Sequence, residues 1–281
     1  MGVQGDRSRR HLSPLLVTMA IHKLSPQGIQ KIQQYLESIL VIPDLENHPR
    51  HYSLVEVDEE FPEPTSLDAL GDLFRAASSP EDVISAPNLE GRWFLSSSNP
   101  GAVFAKLPGL QLKPNLRLVT YLLRTEGRGK GQTWAVPEQW GATAELEEAL
   151  LDSDYNHPPY PEGALPHVMA GVEGDGTPTS YMVASLLDRV LMEFGAIGQD
   201  SQWSHHRLIA SIPTKVQWQW KTEIPQDLSP KVRVFEDGRA AVEFFTCRVT
   251  PPIAISRHLD QFGSHTYYSK QLDRIIATQG H

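Results

Sequence analysis

Apolar residues recur at two different periods along this 281-residue chain, and the switches between them outline its elements. The first helical stretch follows Ser25-Pro26, a hydroxyl N-cap with proline at the first helical position. Ile29, Ile32, Leu36, Ile39 and Leu40 then repeat at helical spacing, and Pro43 closes the run. Residues 51–57 read as a strand. Thr65 opens a second helix with Leu67, Leu70, Leu73 and Phe74 on its apolar face, and Ser79-Pro80 starts a short third. The strongest helix begins at Thr177-Pro178. Met182, Val183, Leu186, Leu187, Val190 and Leu191 give it a wide apolar stripe, extended by Phe194, and Gly195 is placed to end it. A helix with such a stripe packs across a sheet.

Elsewhere the period falls to two. Residues 93–96 form one expected strand, followed by a turn at Asn99-Pro100-Gly101. Residues 116–124 and 133–136 form a pair, joined by a flexible loop over 126–131, and a short helix follows from Thr143. Val216, Trp218 and Trp220 alternate with Lys215, Gln217, Gln219 and Lys221, a strand with one buried face. Residues 231–235 and 239–248 flank Asp237-Gly238. A two-residue turn there would set Arg233 opposite Val242. A three-residue loop with Gly238 left-handed sets Val232 opposite Val242, Val234 opposite Ala240 and Lys231 opposite Glu243. The second register separates apolar from charged faces and is the one predicted. A last helix is expected from about Ser269, carrying Leu272, Ile275 and Ile276.

Strands joined by hairpins rather than helical crossovers give an α+β fold, with antiparallel, hairpin-built sheets covered by a few helices. Residues 152–167 are proline-rich and have no period, which marks a linker or a long functional loop. The chain thus divides into a disordered tail at 1–22, an α+β unit at 23–151, the proline-rich segment, and a second α+β unit at 168–281. The two units are separate domains or one continuous domain. Ser8-Arg9-Arg10 ahead of Leu15-Leu16-Val17 faintly resembles a twin-arginine export signal. Its apolar stretch is short and interrupted by Pro14, so a plain tail, or a start at Met19, is the expected reading.

Charge narrows the function classes. The formal net charge is −9, and both halves share it: residues 151–281 carry 15 acidic and 11 basic side chains. Neither half is a cationic module, so nucleic-acid binding is not expected, although a local basic strip is compatible with the totals. The single cysteine, Cys247, excludes an intramolecular disulfide framework and multi-cysteine metal sites, and suits a reducing, cytoplasmic setting. No apolar run reaches the length of a membrane span.

Catalytic signatures are missing. The chain has no Gly-x-Ser-x-Gly elbow, no His-Glu-x-x-His and no kinase set. Gly129-Lys130-Gly131 looks like a phosphate loop but opens into a strand, where no helix dipole would hold a phosphate. Two clusters remain. Asp154, His157, His167, Asp175 and Thr177 lie in or beside the proline-rich segment and could bind a small ligand; His157 and His167 are the pair a metal would use, although none is expected and no cofactor is indicated. Trp134 and Trp140, read as exposed, with Asp58, Glu59 and Glu60 of the acidic run, suit a protein interface. The leading expectation is a non-enzymatic adaptor, assembly or regulatory factor whose partner is another protein. The alternative is an enzyme or a small-ligand or metal-binding protein, with its site formed by residues 152–178 against the C-terminal sheet.

Overall fold

The computed structural model describes residues 20–49, 90–139 and 143–280. Residues 1–19 of the tail, the strand at 51–57, the acidic run, the helices expected at Thr65 and Ser79, and Trp140 lie outside the described residues. Ile21 and His22, assigned to the disordered tail, instead belong to a strand, Ile21–Lys23, that pairs with residues 231–233. The architecture is α+β. Among the described residues no helix is long and apolar enough to cross a membrane.

A seven-stranded antiparallel sheet dominates the described residues. It is built from β1 (Ile21–Lys23), β7 (His206–Ile209), β8 (Trp218–Trp220), β9 (Lys231–Val234), β10 (Ala240–Arg248), β11 (Ala254–Phe262) and β12 (Ser269–Gln279). The order is β1-β9-β10-β11-β12-β8, and β7 pairs with the half of β10 that β9 leaves free. A three-stranded sheet joins β2 (Trp93–Leu95), β4 (Leu116–Thr125) and β5 (Arg128–Pro137). A small pair joins β3 (Leu110–Leu112) to β6 (Val172–Gly174).

Helices α1 (Pro26–Ile39) and α3 (Pro178–Met192) start where the sequence places them. Ser25 Oγ accepts from Gly28 N at 3.4 Å, and Thr177 Oγ1 accepts from Ser180 N at 3.2 Å. The short α2 (Thr143–Glu148) buries Leu146. Met182, Leu186 and Leu187 of α3 pack with Val232, Val242 and Phe244 of the large sheet, while Leu118 and Ala135 enter the same cluster from the smaller sheet. One core therefore draws on both sides of the proline-rich segment. That segment is pinned rather than free: Trp134 Nε1 donates to Pro159 O at 2.7 Å, and Leu165 N donates to Ala135 O at 2.9 Å.

The β9–β10 hairpin takes the predicted register, with Val232 opposite Val242, Val234 opposite Ala240, Lys231 opposite Glu243 and Gly238 at φ +78°. Two expectations need correction. The stretch from Ser269 is strand β12, not a helix; a bulge at Ile255/Ser256 buries Ile276 and Ala277, while Leu272 and Ile275 are exposed. Pairing with the full length of β11 overrides the helix-like spacing of Leu272, Ile275 and Ile276. Likewise 126–131 is not a flexible loop. Glu126-Gly127 is a tight turn, and Gly129 and Gly131 are strand residues against which residues 194–197 lie backbone to backbone.

The two kinds of glycine separate experimentally. A Cβ on Gly131 would sit 1.7 Å from the carbonyl oxygen of Phe194, whereas one on Gly127, at φ +67°, meets nothing within 4 Å. Gly131→Ala should therefore cost about 3 kcal/mol or more by overpacking. Gly127→Ala should cost about 1 kcal/mol from its left-handed backbone. Denaturant unfolding of both variants checks the order, and equal costs would refute the close approach.

Candidate functional site

Polar side chains converge at two places on the large sheet, and its two faces differ in kind. On the inner face, under α3, Arg189 is the centre. Its guanidinium makes a two-pronged pair with Asp260 at 2.6 and 2.8 Å and donates to Asp273 at 2.8 Å and to Ser185 O at 3.0 Å. The rings of Trp203 and Phe244 flank it at 5.4 and 5.1 Å. Burial works against charge on Arg189, but the two carboxylates outweigh it and hold the group protonated.

From Asp273 the network runs on through His258 Nδ1 at 2.8 Å, from His258 Nε2 to Thr246 Oγ1 at 2.8 Å, and from there to His206 Nδ1 at 2.7 Å. Burial opposes ionisation of Asp273, yet the bonds from His258 and Arg189 lower its pKa to about 2, so this carboxylate accepts only. The ionised Asp273 accepts from His258 Nδ1–H, and the Thr246 hydroxyl bridges His258 Nε2 and His206 Nδ1. Burial, then the neighbouring His258 and Arg248, bring the pKa of His206 down to about 4. Trp203 stacks on its ring at 5.4 Å.

The connectivity Asp273–His258–Thr246 is that of a carboxylate–imidazole–hydroxyl nucleophile. Its setting is not. Thr246 lies inside a central strand at 1% exposure, with its hydroxyl bonded on both sides, so a carbonyl carbon has no approach to it. The network is an internal latch between α3, β7, β10, β11 and β12.

Beside it sits Asp188, 1% exposed. One oxygen accepts from Gln271 Nε2 at 2.8 Å, and the other has no hydrogen bond within 3.5 Å, although His167 Nε2 stands 3.5 Å away. His167 Nδ1 accepts from Met169 N, which leaves the proton on Nε2, facing Asp188. Burial raises the pKa of Asp188 to about 7 and lowers that of His167.

The residues singled out from sequence do not form one site. His157 pairs with Asp154 at 2.9 Å in an exposed turn, while His167 turns inward to Asp188 and Tyr268. Asp175 is spent on the backbone and hydroxyl of Thr177, and Thr177 caps α3. Trp134 is half-buried rather than exposed, its ring edge against Tyr160 at 4.8 Å. Trp140, Asp58, Glu59 and Glu60 fall outside the described residues. Sequence reasoning missed Arg189, Asp260, Asp273 and His258. The readable signal was Asp188-Arg189, the two charged residues of a helix whose other positions are uncharged, where charges need buried partners.

Among the described residues the outer face is largely open. One end is closed by Trp218, Trp220 and Leu228 over Phe245, Ile255 and Ala277. The rest presents Lys23, Lys231, Arg233, Arg257, Lys270 and Arg274, against a single acid of the same strands, Glu243. Two adjoining hollows of 690 and 570 Å³ lie over it, sharing Asp227, Lys231, Glu243 and Arg257. Asp227 binds Lys23 at 2.8 Å and Lys231 at 3.5 Å, and Glu243 binds Arg257 at 2.6 Å. Arg233, Lys270 and Arg274 have no carboxylate partner among the described residues. A chain of net charge −9 thus gathers six cations on one face.

Comparison with known proteins finds no match: no family model fits the chain, and neither a curated protein nor a solved structure resembles it.

Two neighbouring substitutions test the inner network with opposite signs. Arg189→Met strands the buried Asp260 carboxylate and should cost about 3–5 kcal/mol. Asp188 holds a proton in the folded state up to about pH 7. The unfolded chain loses that proton near pH 4, so folding loses stability as pH rises from about 4 to about 7. Asp188→Asn does not titrate. Its melting temperature should exceed that of the parent chain above pH 7 and converge with it near pH 4. A gap that widens towards acid would contradict the assignment.

Proposed function

We propose that the chain is a non-enzymatic adaptor or assembly factor that binds another protein through the outer face of its large sheet and the adjoining edge of β12. The observation that carries this reading is the edge itself. Strand β8 pairs only with Ala277, Thr278 and Gln279, so residues 269–275 of β12 hydrogen-bond to β11 on one side and to no other strand among the described residues. Along that edge Tyr268, Leu272 and Ile275 are exposed by 51, 43 and 49%. A long bare edge flanked by exposed apolar side chains is a template for another chain.

Two further points support binding over catalysis. Among the described residues, the constellation with the connectivity of a nucleophile has its hydroxyl and imidazole buried, and the cations left over lie on the opposite face of the sheet. Trp134, put forward from sequence as a contact, is engaged in holding the proline-rich segment, which moves the proposed surface to the sheet.

The test is recovery of the protein from its own host under gentle conditions, followed by lysine cross-linking and native mass spectrometry. A stoichiometric partner chain linked to Lys23, Lys231 or Lys270 is the expected result. A chain recovered alone, or links confined to the α1 and α3 side, would remove the reading.

A further inference from the structure

We infer that the partner contributes an acidic β-strand, which adds to the free edge of β12 with carboxylates facing Lys270 and Arg274. This rests on the reading of the chain as a protein-binding module and names the chemistry of its partner.

The bare edge of seven residues is about 23 Å long, enough for a full added strand. Side chains on β12 alternate. Lys270, Leu272 and Arg274 stand on the outer face, while Gln271 and Asp273 reach the inner network. A strand laid beside β12 shares its faces, so its outward positions meet Lys270 and Arg274, four residues apart and without a carboxylate partner among the described residues, with Leu272 between them. Those cations lie in a local excess of charge. Arg274 is directly opposite Arg257, and Lys23 directly opposite Lys231, like-charged pairs that cost stability in an isolated sheet. Asp227 relieves the lysines and Glu243 relieves Arg257, but nothing described relieves Arg274. A carboxylate arriving on the edge would, and the remaining cationic face would steer it there.

Two other occupants fit less well. Antiparallel self-pairing that keeps each face continuous and centres on Leu272 sets Lys270 opposite Arg274, and centring on Asp273 sets two carboxylates face to face. Either arrangement would also join two cationic faces. A single-stranded nucleic acid would look for aromatic platforms, yet the open rows offer Ile21, Ala241, Leu259 and Leu272 between the cations.

The experiment uses the full chain and three labelled probes: a nine-residue peptide alternating Glu and Thr, its Lys–Thr counterpart, and an oligo-deoxythymidine of similar charge. Fluorescence anisotropy should show saturable binding of the acidic peptide alone, and hydrogen exchange should show slowed amides in residues 269–275. Lys270→Glu with Arg274→Glu should weaken that binding by at least about ten-fold, as expected when two attractive contacts become repulsive, and should favour the basic peptide. Equal binding of both peptides, oligonucleotide binding as tight as that of the acidic peptide, or binding without protection of β12 would each overturn the inference. If the double variant does not fold, the probe comparison and the exchange pattern on the parent chain still decide it. Failure of the acidic peptide while a host partner still cross-links to Lys270 would discard the partner's chemistry and keep the protein-binding reading. Failure of both would discard both.

Discussion

A guanidinium at 4% exposure between a helix and a sheet stays charged only if carboxylates meet it there, and Arg189 has two. Asp260 is itself fully buried, so neither partner of the pair tolerates loss of the other. The geometry is demanding. Arg189 comes from the last turn of α3, Asp260 from β11 and Asp273 from β12, and both prongs of the guanidinium are used. This contact sets where the helix sits on the sheet and brings His258, Thr246 and His206 into line behind it.

From that constraint the two-faced character of the large sheet follows. The inner face is filled by α3 with apolar contacts at β9 and β10 and ionic contacts at β11 and β12. A hydroxyl held between two imidazoles is well ordered there but out of reach of solvent. Among the described residues the outer face has no such cover beyond the tryptophan-bearing segment around β8. Cations and isolated aliphatic side chains remain at its surface, and β12 runs on past its last outer partner.

Much of the fold was legible because local chemistry and global pairing agree. Val232 and Val242 had to share a face, and Gly238 allowed the left-handed turn that lets them. The caps at Ser25 and Thr177 were equally plain. What misled was spacing read without partners. Leu272, Ile275 and Ile276 fit a helix period, but nine pairings with β11 make them strand residues, and a bulge puts only Ile276 inside. Gly129 and Gly131 looked like flexibility and are points of close backbone approach. The site was less legible still. Arg189, Asp260 and Asp273 are distant in sequence, and the bare edge depends on how far β8 reaches, which no local pattern encodes.

That bare edge is the centre of the account, and amide hydrogen exchange on the free, full-length chain examines it most directly. In a strand paired on one side, alternate amides point to the neighbour and the others to solvent. Residues 269–275 should therefore show alternating slow and fast exchange, beside uniformly slow exchange through the middle of β10 and β11. Uniform protection across residues 269–275 would mean that another part of the chain already covers the edge, and the proposed docking surface would not exist.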